Sequence, residues 1–430
     1  MNYNFEIVVV GGGPAGIAAA CAAAEQGKSV AIVDENVGPG GQVWRGERTQ
    51  QGKCDSTSPS YWFRRLKDCP LIRQFFGWRI FDAPAFGILR SEQQGECIEL
   101  GYKRLVLATG ARERFLPFPG WTLPNVMGAG AIQVMVKSGL PIRNKRVVVA
   151  GSGPLLLAVS AYLRQHEANV VAIYEQTSWI NLARFMGGIT GSPAKLVQGL
   201  QYVWKTFGIP FRAGCWPIAV HGKDRLQSAV ISNGTKQWEL ACDYLACGFH
   251  LVPNIELASL LGCRIEGTVV EVDSLQRTSV DSIFCAGEST GIGGLEMSLL
   301  EGRIAGLASA GDHIGAEALA QQRGKMLRFA SLLAKTFALR SELKSLSRPD
   351  TIVCRCEDVP FELISRHNSW RSAKLHTRCG MGACQGRICG TALEFLNGWI
   401  ADSIRPPIFP APLSSLAVDR ENLVHNHLDT

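Results

Sequence analysis

Long apolar runs and clustered positive charge are both scarce in this chain of 430 residues. No uninterrupted apolar stretch reaches the roughly 18 residues that cross a bilayer. The apolar N-terminal stretch lacks a basic leader and is broken by glycines, so we expect a cytoplasmic protein without a signal peptide. Lysine and arginine are scattered and give a formal charge of only +7, which argues against nucleic-acid binding.

The composition is that of a globular protein with a large core. Hydrophobic residues make up 46% of the chain and charged residues 19%, and the length suits two to three domains. The eight histidines fit no catalytic motif. Of the 14 cysteines, nine are spread singly and five cluster towards the C-terminus. In a cytosolic chain, such clustering favours metal binding over disulfides.

The N-terminal stretch "EIVVVGGGPAGIAAACAAAEQGKSVAIVDEN" has the pattern of a dinucleotide-binding unit. A buried strand leads into G-x-G-x-x-G, an alanine-rich helix follows, and two acids end the next strand. Such glycines allow a pyrophosphate to approach the helix N-terminus, and the acid binds ribose hydroxyls. The residues expected to bind the dinucleotide are Gly11, Gly13, Pro14, Ala15, Gly16, Asp34 and Glu35. Of the two acids, Asp34 has the usual ribose-binding position.

A second unit repeats this pattern in "NKRVVVAGSGPLLLAVSAYLRQHEANVVAIYEQ". Gly151 and Gly153 match the first two glycines, and Glu175 has the position of the ribose-binding acid. Leu156 replaces the third glycine, which normally allows close packing of helix on strand. The pattern predicts the fold of this unit but leaves open whether it holds a nucleotide; NAD or ATP would suit it better than NADP.

Two later segments complete a pattern that resembles a known group of flavoproteins. "LVLATG" ends in Thr109 and Gly110, and "FCAGESTGIGG" carries Gly287 and Glu288 before a helix. Together with "PGGQ", which contains Gly41 and Gln42, these motifs are similar to flavoproteins with two dinucleotide-binding domains, such as thioredoxin reductase. The resemblance implies that all six residues bind FAD with the first unit, which resumes after the second unit is inserted.

The disulfide reductases among these flavoproteins carry a redox cysteine pair beside the flavin. This chain has no such pair near Gly40 or in "NVMGAGAIQVM" (125–135), which argues against a dithiol reductase. We expect an α/β fold with two Rossmann-like domains and a small C-terminal module. The expected segments are the first part of the FAD domain (1–138), the inserted dinucleotide domain (139–264), the second part of the FAD domain (265–312), a helical connector (313–350), the cysteine module (351–405) and a tail (406–430).

The cysteine module offers five thiols where a metal site takes four. "TIVCRCEDVPFELI" carries a C-x-C pair, and "TRCGMGACQGRICG" carries three cysteines at equal intervals. We expect Asp358 to be the N-cap of a short helix between them. A [2Fe–2S] cluster, structural zinc and uncoordinated cysteines are all compatible with this spacing, and iron–sulfur is the favoured interpretation.

The module resembles the [2Fe–2S] domain of bacterioferritin-associated ferredoxin, in the longer-spaced variant appended to flavoprotein dehydrogenases. This resemblance implies that Cys354, Cys356, Cys384 and Cys389 are the metal ligands. Cys379 would be the spare thiol.

Over nearly its whole length the chain resembles the α-type subunit of heteromeric amine dehydrogenases: opine oxidases, hydroxyproline and proline dehydrogenases, and hydrogen cyanide synthase. The resemblance implies an FAD-dependent oxidoreductase subunit that relays electrons. A β-type flavoprotein subunit would oxidise the C–N bond of the substrate. Peripheral association with a membrane or the respiratory chain, and a small ferredoxin-like subunit, are further expectations.

Two other hypotheses stay open at this stage. One is a stand-alone NAD(P)H-dependent reductase, in which Glu175 holds the nicotinamide dinucleotide; Leu156 argues against it. The other is a scaffold whose second unit binds a nucleotide only structurally or serves as a docking surface. The sequence identifies no catalytic residue, because substrate oxidation would belong to another chain.

Overall fold

The computed structural model describes residues 1–46, 56–189, 193–401 and 403–417. The chain divides into two compact units. Unit 1 contains residues 1–110, 253–324 and 403–430, and unit 2 contains residues 111–252 and 325–402. The cysteine module therefore belongs to unit 2, together with the second dinucleotide-binding pattern. Of the tail expected at 406–430, the part from residue 418 lies outside the described residues.

The strands are short, apart from two long strands in the first sheet. They are β1 (Asn2–Val10), β2 (Val30–Asp34), β3 (Ile72–Phe76), β4 (Arg79–Ala85), β5 (Ile88–Gln93), β6 (Glu96–Leu107), β7 (Ala111–Glu113), β8 (Val126–Gly128), β9 (Arg146–Ser152), β10 (Asn169–Glu175), β11 (Phe211–Ala213), β12 (Trp216–His221), β13 (Ser228–Ser232), β14 (Gln237–Ala241), β15 (Tyr244–Phe249), β16 (Leu251–Pro253), β17 (Ile265–Glu266), β18 (Val269–Val270), β19 (Ile283–Cys285), β20 (Ile352–Cys354) and β21 (Val359–Pro360).

The helices vary from one turn to 24 residues. They are α1 (Pro14–Glu25), α2 (Pro59–Asp68), α3 (Ala129–Lys137), α4 (Leu155–Gln165), α5 (Trp179–Gly188), α6 (Pro193–Lys205), α7 (Glu256–Leu260), α8 (Gly294–Ala310), α9 (His313–Thr336), α10 (Phe361–Ile364), α11 (Trp370–Thr377), α12 (Cys389–Asn397) and α13 (Leu413–Leu416), with 3₁₀ turns at Gly287–Thr290 and Ser341–Ser345. None of the helices in the described ranges is long and apolar enough to cross a membrane.

Unit 1 is built on a seven-stranded sheet in the order β3-β2-β1-β6-β5-β4, with β19 also paired to β6. The strands β3, β2, β1, β6 and β19 are parallel, and the ribbon β4–β5 adds antiparallel strands. The end of β1 is an apolar run buried on both faces, as parallel sheets require. Its last residue, Val10, pairs with Val33 of β2, which brings the glycine turn and the acidic strand end together.

Helices α1 and α8 pack so closely in unit 1 that glycine is needed between them. A Cβ at Gly302 would lie 2.1 Å from the Ala15 carbonyl oxygen, and one at Gly306 would lie 2.4 Å from that of Ala19. Any larger residue would force the helices apart. This contact holds α8 against the helix that follows the first glycine turn.

Unit 2 contains a parallel five-stranded sheet in the order β11-β10-β9-β15-β8, beside an antiparallel sheet of β12, β13 and β14. Leu156 is buried in the core on one face of the parallel sheet. The predicted α/β architecture with two dinucleotide-binding folds is therefore confirmed.

The C-terminal module packs around its own small core in unit 2. Trp370, Ile364 and Leu393 are buried there together with three of the cysteines. The expected N-cap at Asp358 is wrong: α10 begins at Phe361, with Pro360 as its N-cap. Asp358 instead has a φ of 49° in the turn between β20 and β21, a conformation that aspartate tolerates better than most residues.

Candidate functional site

The first glycine turn, between β1 and α1, combines tight packing with an open surface. Gly11 has a φ of 111°, and a Cβ there would lie 2.1 Å from the Ala108 carbonyl oxygen. A Cβ at Gly16 would lie 1.8 Å from the Gly11 carbonyl oxygen. Gly13 differs, because no protein atom lies within 4 Å of its Cβ position. The outer glycines therefore shape the turn, and Gly13 leaves space for a ligand.

The two acids at the end of β2 point to different partners. The Asp34 carboxylate accepts hydrogen bonds from the backbone N–H of Gly12 and from that of Asn36, the latter at 2.7 Å. Glu35 is exposed and pairs with Arg79 at 3.1 Å. Asp34 is therefore the acid that faces the glycine turn, as its sequence position indicates.

The "PGGQ" segment lies against the same turn. The Gly40 N–H donates to the Gly12 carbonyl at 2.7 Å, and a Cβ at Gly41 would lie 3.0 Å from the Gly13 Cα. Gln42 is exposed. Pro14 is the first residue of α1, and Ala15 is buried behind it. The N-terminus of α1 therefore opens onto the space beside Gly13, where its dipole favours a phosphate.

The loop after β6 and the 3₁₀ turn after β19 are joined by hydrogen bonds. The Thr109 hydroxyl donates to the Asn254 carbonyl at 2.6 Å and lies 2.9 Å from the Ser289 hydroxyl. Ser289 also donates to the Gly110 carbonyl at 3.3 Å. The structure thus brings the "ATG" and "AGE" motifs together, although 180 residues separate Thr109 from Ser289.

Glu301 of α8 supports this turn and was not identified from the sequence. Its side chain is fully buried, and one oxygen accepts from the Gly287 N–H and the Thr290 hydroxyl, both at 3.0 Å. The other oxygen accepts from Arg323 at 2.7 Å. Burial raises the pKa of Glu301. No signal in the sequence distinguishes Glu301 from Glu296, the other acid of α8.

Glu288 lies in the same turn and is half-buried. Burial raises the pKa of its carboxyl group. Gly287 has a φ of 78°, and its Cβ position lies 2.8 Å from the Ala15 side chain, so only glycine suits it. This contact places the "AGE" turn beside the start of α1. The glycine turn, the "PGGQ" segment and the "ATG" and "AGE" motifs thus meet in unit 1, whereas Glu35 pairs with Arg79. The open space at Gly13, the helix terminus and Asp34 fit a flavin dinucleotide.

The second glycine turn, between β9 and α4, shares one feature with the first turn, a first glycine with positive φ, but Gly153 has a φ of 97° where Gly13 has −78°. Gly151 has a φ of 140°, and a Cβ there would lie 1.9 Å from the Gly248 carbonyl oxygen. The Glu175 carboxylate accepts from the N–H groups of Gly153, at 2.7 Å, and Thr177, at 2.8 Å. Glu175 is only 2% exposed, and burial raises its pKa to about 7. Unlike Asp34, this acid is enclosed by protein.

The segment after α9 lies against this second turn. The Phe337 carbonyl accepts from the Ser152 hydroxyl at 2.9 Å and contacts the His250 ring nitrogen. Gln176 is also fully buried, and its side-chain oxygen accepts from the Arg340 N–H at 3.2 Å. These contacts lie at the carboxyl ends of β9, β10 and β15, where ligands of open α/β sheets bind. Two residues of this second turn and strand end, Ser152 and Gln176, are therefore already hydrogen-bonded to the segment after α9.

The five clustered cysteines lie together in the module. The sulfurs of Cys354, Cys379 and Cys389 lie within 4.8 Å of one another, and all three residues are buried. Cys356 is exposed and Cys384 half-buried. The Cys384 thiol makes hydrogen-bonding contacts with those of Cys356 and Cys389. The sequence prediction that the two cysteine motifs meet in one site agrees with this arrangement.

Glycines make room for the sulfurs. A Cβ at Gly382 would lie 2.2 Å from the Cys356 Cβ, and a Cβ at Gly380 would lie 2.7 Å from the Trp370 ring. The Gly380 N–H points to the Cys354 sulfur at 3.5 Å. Backbone donors and thiols at such distances suit a thiolate-ligated metal or cluster.

The thiols also change one another's acidity. Hydrogen bonds from the Cys379 and Cys389 thiols lower the pKa of Cys354 to about 2. The contact with Cys389 likewise lowers the pKa of Cys384 to about 5. The same contacts raise the pKa of Cys379 to about 12 and that of Cys389 well above its usual value. Cys354 and Cys384 are therefore the two thiols stabilised as thiolates, the form that metals bind.

The fold and the first glycine turn define an FAD-dependent oxidoreductase with two dinucleotide-binding folds. A family model described as pyridine nucleotide-disulphide oxidoreductase matches residues 5–310. The chain belongs to this family. The resemblance to two-domain flavoproteins is thereby confirmed.

Comparison with individual proteins gives full-length relatives. The chain is 30% identical to hydrogen cyanide synthase subunit HcnB of Pseudomonas protegens, over 95% of this chain and 96% of that protein. It is 29% identical to an opine oxidase subunit of Rhizobium meliloti, over 96% of this chain and 87% of that protein. The resemblance to this group of subunits is confirmed.

Solved structures share the fold. L-proline dehydrogenase from P. horikoshii matches with a TM-score of 0.66 at 20% identity, over 97% of this chain and 80% of that one. Thioredoxin reductase from T. acidophilum matches with a TM-score of 0.56 at 20% identity, over 72% of this chain and 99% of that one.

Proposed function

We propose that this chain is the electron-transfer subunit of a heteromeric amino-acid or opine dehydrogenase. A partner β-type flavoprotein subunit oxidises a C–N bond of the substrate, and this chain relays the electrons through FAD and a [2Fe–2S] cluster to an acceptor. The observation that carries the proposal is the presence, in one chain, of an FAD-type surface and a cluster of five cysteines. FAD exchanges two electrons with organic donors and single electrons with iron–sulfur carriers, so the two sites complement each other.

The nature of the partner is inferred from relatives. The two full-length relatives are named as subunits, one of an opine oxidase and one of hydrogen cyanide synthase. A structural neighbour is an L-proline dehydrogenase. These names support a donor with a carbon–nitrogen bond and a separate subunit that binds it. Peripheral membrane association in the cytoplasm and a small ferredoxin-like subunit belong to the same proposal.

Cys354, Cys356, Cys384 and Cys389 are the proposed cluster ligands. Cys354 and Cys389 lie at the buried end of the site, and Cys356 and Cys384 lie nearer to solvent. A [2Fe–2S] cluster takes two thiolates on each iron, so each end would supply the two ligands of one iron. In unit 1, Asp34 binds the FAD ribose, the space at Gly13 admits the pyrophosphate, and Gly287 and Glu288 contact the ribityl and phosphate groups.

The second dinucleotide-binding fold has a different role in this proposal. Its acid, Glu175, is enclosed, and the Phe337 carbonyl lies against its glycine turn. This favours the electron relay over a stand-alone NAD(P)H-dependent reductase. The fold then contributes a packing surface for the connector, not an active nicotinamide site.

Expression with and without the neighbouring genes tests the proposal. We expect the isolated chain to contain FAD, iron and acid-labile sulfide but to oxidise amino acids and opines at less than a hundredth of the rate of the complex. The comparison measures substrate-dependent reduction of an artificial electron acceptor. Full activity of the isolated chain would refute the relay assignment.

A further inference from the structure

The fifth cysteine of the module, Cys379, is surrounded by the groups that would bind the cluster. It is fully buried, and its sulfur lies within 4.8 Å of the sulfurs of Cys354 and Cys389. The four proposed ligands are the other cysteines of the module, so Cys379 has no role in the proposed ligand set. A buried cysteine is often just a small apolar core residue, but such a residue has no need for two thiol neighbours.

Contacts of its own segment hold Cys379 in this position. Arg378 ends α11 with a φ of 65°, which turns the chain inward at the next residue. The Cys379 N–H donates to the Thr377 hydroxyl at 3.2 Å. On the other side, the Trp370 ring leaves no space for a side chain at Gly380. The turn at Arg378, the hydrogen bond to Thr377 and the packing of Gly380 on Trp370 therefore hold the Cys379 sulfur beside the proposed ligands.

The five thiols are not equivalent in their surroundings. Cys354, Cys379 and Cys389 form the buried end of the site, whereas Cys356 and Cys384 form the end nearer to solvent. Two thiolates at each end complete a [2Fe–2S] cluster. The buried end has one thiol more than it needs, and the outer end has none to spare.

We propose that Cys379 is an exchange ligand for the buried iron of the [2Fe–2S] cluster. This inference rests on the proposed function, because it requires that the site holds such a cluster. In the exchange, a bond forms between iron and the Cys379 sulfur as the bond to Cys354 or Cys389 breaks. The proton of the Cys379 thiol passes to the departing thiolate. No electron is transferred, so the charge of the site and the oxidation state of the iron are unchanged.

The exchange gives the cluster a way to survive loss of a ligand at the buried end only. Oxidation or substitution of Cys354 would leave Cys389 and Cys379 to hold that iron. The same damage at the exposed Cys356 would leave one thiolate at the outer end. The site should therefore tolerate the loss of one buried ligand but not the loss of one ligand at the outer end.

Alanine variants test this asymmetry, because alanine cannot ligate iron. We expect Cys354→Ala and Cys389→Ala to keep wild-type iron and acid-labile sulfide, with shifted g values in the EPR spectrum of the reduced protein. Cys354→Ala/Cys379→Ala should lose more than nine-tenths of the cluster. Cys356→Ala should lose the cluster although Cys379 is intact. Cys379→Ala alone should keep the iron and sulfide content of the wild type.

FAD content and thermal unfolding serve as controls that each variant is folded, and Cys389→Ala replaces Cys354→Ala if the latter does not fold. Loss of the cluster in both folded single variants would overturn the exchange, as would its retention in the double variant. Loss in Cys379→Ala alone would make Cys379 an obligatory ligand and also overturn it. Zinc in place of iron in the wild-type protein would instead refute the cluster in the proposed function.

Discussion

At the scale of single residues, Gly11 and Gly13 occupy the same turn but are required for different reasons. Gly11 has a positive φ and no space for a Cβ, because the Ala108 carbonyl oxygen is 2.1 Å from the Cβ position. Gly13 has a φ of −78°, which any residue adopts, and its Cβ position is open. Gly11 is therefore required by the backbone of the turn, whereas Gly13 is expected to leave space for the ligand.

Alanine substitutions separate these two requirements. Gly11→Ala should destabilise unit 1 by about 1–3 kcal/mol from backbone strain alone, in addition to the clash, and so lower both the Tm and the FAD content. Gly13→Ala should keep the wild-type Tm of the flavin-free protein but weaken FAD binding at least about tenfold. Thermal unfolding of apoprotein and flavin titration measure the two effects. Equal FAD affinity in Gly13→Ala and wild type would contradict a pyrophosphate at this glycine.

At the scale of elements, Glu301 links α8 to the 3₁₀ turn that carries Gly287 and Glu288. Its fully buried carboxylate takes hydrogen bonds from the turn on one oxygen and from Arg323 on the other. Removing one member of a buried ion pair leaves the other charge without compensation, which typically costs about 3–5 kcal/mol. Glu301 is thus a positioning residue, which holds the turn without itself facing the open space at Gly13.

Glu301→Ala should therefore lower the Tm and speed the release of FAD, because the turn loses its support. Glu301→Ala/Arg323→Ala should recover part of the stability, since no buried charge is left unpaired. Glu317→Ala, at an exposed position of α9, is the matched control and should behave as the wild type. Thermal unfolding and the rate of flavin fluorescence increase on dilution measure the outcomes. A Glu301→Ala protein with wild-type flavin release would show that the turn is held by other contacts.

These elements also indicate what the sequence could predict. The strand–turn–helix units were predictable because their signals are local: buried apolar strands, spaced glycines and an acid at the next strand end. Two other features could not be predicted: the support that Glu301 gives to the 3₁₀ turn, and the contact between Ser152 and Phe337. The latter pair is separated by 185 residues, and the meeting of distant segments leaves no periodic signal. Asp358 was misassigned because its preference for N-caps was outweighed by its tolerance of a positive φ in a tight turn.

At the scale of the whole molecule, the two dinucleotide-binding folds have diverged in what they present to solvent. Both keep an acid hydrogen-bonded to a backbone N–H of the glycine turn: Asp34 to Gly12 in unit 1, and Glu175 to Gly153 in unit 2. Asp34 remains partly accessible, whereas Glu175 is enclosed. Both units therefore keep the contact between acid and turn, although Asp34 bonds the second residue of its turn and Glu175 bonds the third, and only Asp34 stays partly accessible.

This divergence predicts how the flavin is reduced. When NADH is added anaerobically to the isolated FAD-loaded chain, we expect no bleaching of the flavin absorbance within minutes, because Glu175 is closed to a ribose. The amino-acid or opine donor should bleach the flavin only when the partner subunit is present. Glu175→Gln tests a structural role: its amide NH2 would face a backbone N–H and should lower the Tm, while both bleaching results stay unchanged. Rapid bleaching by NADH in the wild type, slowed in Glu175→Gln, would instead identify the second fold as a working nicotinamide site.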